Sequence, residues 1–435
     1  MIHLFKNIVA TAAVALLSVI LTGCKDTDAI GGMDLENARV YMTVSMTQPG
    51  VDVTRSTTID SNDTSSDGWE PGTDAENAIH RLLIVMKHGD DSLCFPVSSS
   101  DINTIDGTST TLIDMPLADI IRMAGHNIEL YVLANYNATM LSGAMNGGLN
   151  TATLYSLSSP DDPLLKTTRG LPMSGEDKYV VSLPSDLSSY LTEANPLDLT
   201  QAGAITLIRS VARIDYLDAS TGHDHTFPIV DEADVNKTTG YEVTLASMHL
   251  FNVCDRFSAF PQAAANPRGF LKDDIAITTS NLDKCSESET SNYKIWRYIT
   301  ENKLPDDAQI QKNTTGIRFH FRITTTPDGA VSTTGPLTFK AGGRTMSVNY
   351  TADDADGAGH YVDYYYFIRH NDNDNPYLTG PMEFSVVRNN IYRLSIESIS
   401  ELPEPYTPEN PDEYPGFKVN VRIAKWQYHK YVFDM

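Results

Sequence analysis

The sequence predicts an all-β protein built from sandwiches, on three observations. Short segments alternate apolar and polar residues, clusters of Gly, Pro, Asn and Asp separate them, and helical periodicity is nearly absent, with Met115 to Ala124 the best short candidate. At 435 residues the chain is long enough for roughly two or three domains with cores of their own. It carries 56 acidic and 32 basic residues, a formal net charge of −24. Such a surface repels phosphate backbones, so nucleic acid is excluded as a partner.

The first element is a leader. Lys6 supplies a positive start, Ile8 to Leu21 an apolar run, and Gly23 a small residue before a cut, so residues 1–23 read as a secretory signal. The run falls short of the roughly 20 residues a membrane-spanning helix needs. Leu21-Thr22-Gly23-Cys24 resembles the bacterial lipoprotein box, which implies lipidation of Cys24 and anchoring of the mature chain to the outer membrane. Lys25-Asp26-Thr27-Asp28 resembles the surface-export signal of Bacteroidota lipoproteins, with Thr27 interrupting the usual acidic pair.

Next, Ala38, Val40, Met42, Val44 and Met46 alternate with Arg39, Tyr41, Thr43, Ser45 and Thr47, the pattern of a half-buried strand that ends at Gln48-Pro49-Gly50. A polar stretch, Thr57 to Gly72, follows Arg55. Further strands are expected at His80 to Lys87, Ile128 to Ala134, Tyr179 to Leu183, Ile205 to Tyr216, Tyr241 to Asn252, Ile317 to Thr324, Met346 to Tyr350, Tyr361 to Ile368, Glu383 to Val387 and Tyr392 to Ile399. Ile205 to Ile214 reads as one core strand with its arginines on the solvent side, Pro172 and Gly175 as a turn, and Asn135 and Asn252 as strand ends whose amides satisfy freed backbone groups.

Polar interruptions at Asp218 to Thr239 divide the mature chain into residues 24–55, an N-terminal sandwich at 56–217 and a C-terminal sandwich at 240–400. Residues 401–416 hold five prolines and read as a stiff extended connector. Beyond it, in the C-terminal strand region 417–435, Phe417, Val419, Val421 and Ile423 alternate with Lys418, Asn420, Arg422 and Ala424, and Trp426 breaks the parity, which suggests a bulge. This strand either pairs at home or is donated to another chain.

Chemistry-bearing constellations are few. Cys94, Cys254 and Cys285 are too widely spaced for a disulfide framework or a metal knuckle; a Cys254–Cys285 bridge and free thiols both stay open. His223-Asp224-His225 lacks a third ligand and reads as a turn, and so do Asp353-Asp354-Ala355-Asp356-Gly357 and His370 to Asn375, which do not follow the spacing of a calcium loop. Neither a metal nor any other cofactor is expected. No nucleophile, phosphate-loop or zinc-protease motif is present, so the chain is not expected to be an enzyme. Tyr361, Tyr364, Tyr365 and Tyr366 read as sheet-core aromatics.

Several segments together resemble the fimbrillin, or type V pilin, superfamily of Bacteroidota. They are Asp74 to Ile79 leading into Leu82 to Val85, Leu130 to Asn135, Leu171 to Gly175, Leu207 to Ile214, Leu250 to Val253 and Val387 to Leu394. The resemblance implies two consecutive transthyretin-like β-sandwiches, export as a lipoprotein, and assembly into a fimbria with other fimbrial subunits. It also implies proteolysis after an arginine near the mature N-terminus, for which Arg55 is the candidate, and filling of the emptied groove by a neighbour's C-terminal strand, for which Phe417, Val419, Val421 and Ile423 are the candidates. An uncut chain would instead be a non-polymerising surface lipoprotein, or an anchor or tip subunit that binds a glycan or host ligand.

Overall fold

The computed structural model describes residues 37–47, 69–105, 108–201, 203–231, 233–261, 269–288, 291–331, 333–341, 343–371, 379–403 and 417–426. Cys24, Arg55 and most of the proline-rich connector lie outside them.

The chain opens with β1 (Arg39–Thr47), β2 (Trp69–Glu70), β3 (Arg81–His88), β4 (Asp91–Ser98), β5 (Ile102–Ile105) and β6 (Thr108–Pro116). Then come β7 (Asn127–Ala134), β8 (Leu154–Ser156), β9 (Met173–Gly175), β10 (Tyr179–Ser182), β11 (Leu197–Asp198) and β12 (Ile205–Arg209). All but β2 and β8 belong to one ladder in the order β4-β3-β7-β9-β12-β1-β6-β5, with β10 on β7 and β11 on β1. Val40, Met42, Val44 and Met46 of β1 share a core with Leu82, Ile84 and Met86 of β3. Four ladder steps would hold these strands about 19 Å apart in a flat sheet, so the ladder folds back into two facing layers.

The second half comprises β13 (Val211–Leu217), β14 (Thr226–Asp231), β15 (Asp234–Phe251), β16 (Arg256–Ser258), β17 (Ile275–Thr278), β18 (Lys294–Thr300) and β19 (Gly316–Thr326). It closes with β20 (Gly329–Ala330), β21 (Leu337–Ala341), β22 (Arg344–Val348), β23 (Tyr350–Thr351), β24 (Gly359–Phe367), β25 (Asn390–Ile399) and β26 (Phe417–Trp426). The ladder runs β18-β13-β25-β14-β15-β19-β24-β23, with β26 alongside β25. Phe417 stacks on Tyr364 at 4.6 Å between centroids and meets Phe319 edge-on at 5.1 Å, so the β13–β25–β26 layer faces the β15–β19–β24 layer. The two sandwiches meet over an apolar seam that includes Leu83, Tyr131 and Leu133 of the first and Val211, Ile391 and Trp426 of the second.

The all-β sandwich architecture is therefore present, with local differences from the sequence reading. Ile205 to Tyr216 is two strands, because the chain crosses from the first ladder to the second at Ser210, whose N–H donates to the Pro172 carbonyl at 2.8 Å. Val211–Leu217, expected in the first sandwich, stands between β18 and β25 in the second ladder. Gly175 lies in β9 and not in a turn. Met115 to Ala124 yields only one helical turn, Leu117–Ile120, and a tighter one, Ile121–Met123. Asn135 and Asn252 do end strands, at φ 55° and 53°, and the Asn135 amide donates to the carbonyls of Ala78 and Leu171, both at 2.8 Å.

Candidate functional site

β1 is an interior strand. It pairs antiparallel with β6 along all nine residues, Arg39 opposite Pro116 through Thr47 opposite Thr108, and parallel with β11 and β12 on its other edge. Its four apolar side chains, Val40, Met42, Val44 and Met46, are 0% exposed. At about 1.5–3 kcal/mol each, their burial contributes on the order of 6–12 kcal/mol before ordering costs. Taking β1 away would leave two unpaired edges and a dry apolar trough.

β26 has the same alternation in a different setting. It pairs antiparallel with β25 from Ile399 opposite Phe417 to Asn390 at its far end, while its outer edge meets only the two residues of β2 among the described residues. Phe417 is buried, but Val419, Val421 and Ile423 are only partly covered. Trp426 does not break the pleat. It follows Lys418, Asn420, Arg422 and Ala424 on the opposite face, which reaches the seam between the sandwiches, and the bulge sits in β25 between Ile396 and Ser398. The candidate donor strand is thus docked at home.

The end of β26 is held by a buried charged knot that the sequence reading missed. Arg213 of β13 is bonded to Glu70 at 2.6 Å, Glu76 at 3.0 Å and Asp215 at 2.7 Å. Arg393 of β25 also pairs with Glu70, and Arg209 of β12 pairs with Asn77 and donates to the Trp426 carbonyl at 3.1 Å. The Arg209 guanidinium lies 4.2 Å from the centre of the Trp426 ring, and Tyr298 stacks on that ring from 5.8 Å. All three arginines are essentially dry, so the expectation that Arg209 and Arg213 face solvent is corrected: carboxylates from β2, from β13 and from the helical turn Asp74–Asn77 neutralise them inside. Three guanidinium groups face three carboxylates, which is what makes burial tolerable.

Local chemistry positions these groups. Thr73 and Glu76 form a reciprocal capping box, with the Thr73 N–H donating to Glu76 at 2.6 Å, so Glu76 is fixed before Arg213 and Tyr298 bind it. Gly72 sits at φ 76°, and a Cβ there would come within 2.5 Å of Trp426 Nε1. Burial pushes the Glu70 carboxyl up, but Arg213, Ser288 and Arg393 outweigh it and hold it below its usual range. For Asp215 burial wins over Arg213, and its carboxyl is pushed up to about 6. Burial pulls Arg209 down to about 9, which leaves it charged at neutral pH.

Other singled-out residues have plain roles. His223 and His225 lie in a turn at φ 52° and 61°, and His225 meets Asp283 at 3.0 Å. Tyr364, Tyr365 and Tyr366 are buried, whereas Tyr361 stacks on His320 at the sheet surface. Cys94, Cys254 and Cys285 are free thiols. A cleft of about 520 Å³, lined in part by Ile229, Tyr241, Phe339 and Leu402, opens beside the β21–β22 hairpin. Among the described residues no helix is long and apolar enough to cross a membrane.

Three of the motifs quoted from the sequence meet at the knot. Asp74 to Ile79 carries Glu76 and Asn77, Leu207 to Ile214 carries Arg209 and Arg213, and Val387 to Leu394 carries Asn389 and Arg393. Residues 359–432, from β24 through β26, match the family described as major fimbrial subunit protein type IV, fimbrillin, C-terminal. Its C-terminal part is thus similar to the fimbrillins. No curated protein matches the sequence. Among solved structures, a candidate cell adhesion protein from Parabacteroides distasonis shares its fold, at 14% identity and a TM-score of 0.52, over 90% of this chain and 100% of that one. A fimbrillin from Porphyromonas gingivalis gives 15% identity and a TM-score of 0.44 over 90% of this chain and 99% of its own. The tip fimbrial protein Mfa3 from Porphyromonas gingivalis gives 14% and 0.42 over 89% and 100%.

Proposed function

We propose that this fimbrillin-like chain is a structural, non-enzymatic subunit of a cell-surface fimbria. It is exported as a lipoprotein and held at the outer membrane by lipid on Cys24 until a cut after Arg55 removes the tether together with β1. A strand from a neighbouring subunit then fills the slot between β6 and β12, and Phe417, Val419, Val421 and Ile423 are the donor candidates. The observation that carries this reading is β1 itself: an interior strand with a wholly dry apolar face, whose loss leaves a slot that another alternating strand fits.

The home docking of β26 favours a second reading. A subunit that accepts a strand but keeps its own, with Trp426 fixed in the knot, suits an anchor or tip, or a non-polymerising lipoprotein that binds a glycan or host ligand. Limited trypsin digestion of the recombinant mature protein, followed by intact-mass measurement and electron microscopy, separates the readings. Cleavage after Arg55 with loss of β1 and growth of filaments is expected. Cleavage without filaments selects the second reading, and resistance at Arg55 overturns the processing step.

A further inference from the structure

We propose that the outer face of the second sandwich carries a divalent-metal site formed by His320, Asp354 and Asp356, of the zinc class. It is independent of strand exchange.

His320 is at the centre of β19, opposite Ser247 of β15 and Asp363 of β24, with Phe319 and Phe321 on either side of it turned into the core. Strand alternation therefore puts its imidazole on the outer face. The Asp363 carboxylate lies 2.6 Å from Nδ1 and accepts its proton, which leaves Nε2, facing the loop, as the atom free to bind a metal in the neutral ring. Tyr361 stacks on the ring at 4.4 Å between centroids and 6° between planes. A carboxylate behind the ring and a flat partner on it are the arrangement that fixes tautomer and orientation in metal-bound histidines.

The carboxylates come from the loop between β23 and β24. The Asp356 N–H donates to Asp354 Oδ1 at 2.9 Å, a turn that puts both side chains over the sheet, and Asp354 Oδ2 stands 3.5 Å from His320 Nε2. The loop is tied down by Tyr361, whose hydroxyl donates to the Gly357 carbonyl at 2.7 Å. Asp356 is oriented by Ser247, whose Oγ donates to it at 2.5 Å and lies 2.9 Å from His249 Nε2. Because the Ser247 proton points to Asp356, His249 is the donor in that second contact, and the relay His249–Ser247–Asp356 parallels the Asp363–His320 support.

Ligand atoms of His320, Asp354 and Asp356 lie within 4.8 Å of one another. Ligands on a tetrahedral ion at about 2.1 Å are about 3.4 Å apart, so small side-chain rotations close the site, with water in the fourth position. Among the described residues no lysine or arginine is paired with Asp354 or Asp356. Of the cations nearby, Arg318 is 3.7 Å from Asp363 and Arg322 lies opposite Tyr361 in the β19–β24 ladder. One imidazole with two carboxylates suits zinc and its neighbours, whereas calcium takes six to eight oxygens.

Zinc titration of the full mature chain by calorimetry, with thermal unfolding in zinc and in chelator, tests this. One equivalent is expected to bind and raise the melting temperature. Binding should fall at least about tenfold in His320→Ala and in Asp354→Asn, and about 10–100-fold in Asp363→Asn, which keeps all three ligands. Asp354→Asn changes an exposed loop and leaves the core intact, so its loss of binding is not a folding defect. His223→Ala, on a separate turn, should bind normally. Absence of stoichiometric binding, or binding that His320→Ala and Asp354→Asn leave unchanged, overturns the site; calcium bound more tightly than zinc overturns the metal class.

Discussion

β1 and β26 look alike in sequence and differ in what holds them. Both alternate cleanly, and both make a long antiparallel ladder with one neighbour. β1 is flanked on both sides and buries every apolar side chain, so its hold is spread along its length. β26 is flanked by β25 along its length and by β2 only at its end, leaves Val419, Val421 and Ile423 half-covered, and concentrates its anchorage at its two ends, Phe417 and above all Trp426. A distributed hold yields only when the strand is cut away, whereas a concentrated one yields when a single side chain leaves its pocket.

That contrast is easiest to break at Trp426. Trp426→Ala should cost about 3–5 kcal/mol, because it removes a large dry side chain and the aromatic face against Arg209. Urea unfolding would measure the loss, and hydrogen exchange should show the β26 amides losing protection before those of β25. Uniform loss across both strands would mean that the anchorage is not concentrated there.

A matched pair of smaller changes sharpens the comparison. Val44→Ala in β1 should cost about 2–3 kcal/mol, and Val421→Ala in β26 less than about 1 kcal/mol, since the same truncation removes buried contacts in one strand and half-exposed ones in the other. Equal losses in denaturant titrations would show that β26 is as deeply seated as β1.

The smallest expected effect is pH-dependent. His370 Nδ1 faces the Tyr392 hydroxyl at 3.0 Å, and that hydroxyl accepts the Val387 N–H at 2.8 Å, so it donates to a neutral imidazole. Burial holds His370 down at about 4, below its usual 6.5. The folded state therefore resists a proton that the unfolded chain takes up, and the stability is intact above pH 6.5 and is lost as pH falls from 6.5 towards 4. About 1–2 kcal/mol is expected, discounted because the ring is not wholly dry. His370→Gln should make that part of the pH profile shallower, with the share of His249, held down to about 4 in the same way, remaining, and with β25 affected and β1 untouched.

Much of this contrast was legible in the sequence. Period-two patterning marked Ala38 to Thr47 and Phe417 to Ile423 as strands, and the left-handed asparagines Asn135 and Asn252 ended theirs as expected. The crossing at Ser210 was not legible, because Ile205–Arg209 and Val211–Leu217 are both apolar and only their partners differ. The knot was hidden for another reason. Charged residues in strands read as solvent-facing by default, and apart from Asp215, two residues along from Arg213, the partners that reverse this for Arg213 and Arg393 lie far away in sequence. What was available was the presence of Glu76, Arg209, Arg213 and Arg393 inside the recurring motifs themselves. The home docking of β26 was likewise undecided, since alternation fixes which face is apolar and not which sheet receives it.

The knot also has a consequence in time. Glu70 and Arg393 are separated by 323 positions, and the Trp426 ring that covers Arg209 comes later still. As the chain is synthesised, Glu70 and Glu76 exist long before their full set of cations, and β25 lacks its antiparallel partner until β26 has emerged. A prematurely terminated product keeps uncompensated carboxylates and an open sheet edge. The knot thus ties the stability of the first-made carboxylates to strands made hundreds of residues later.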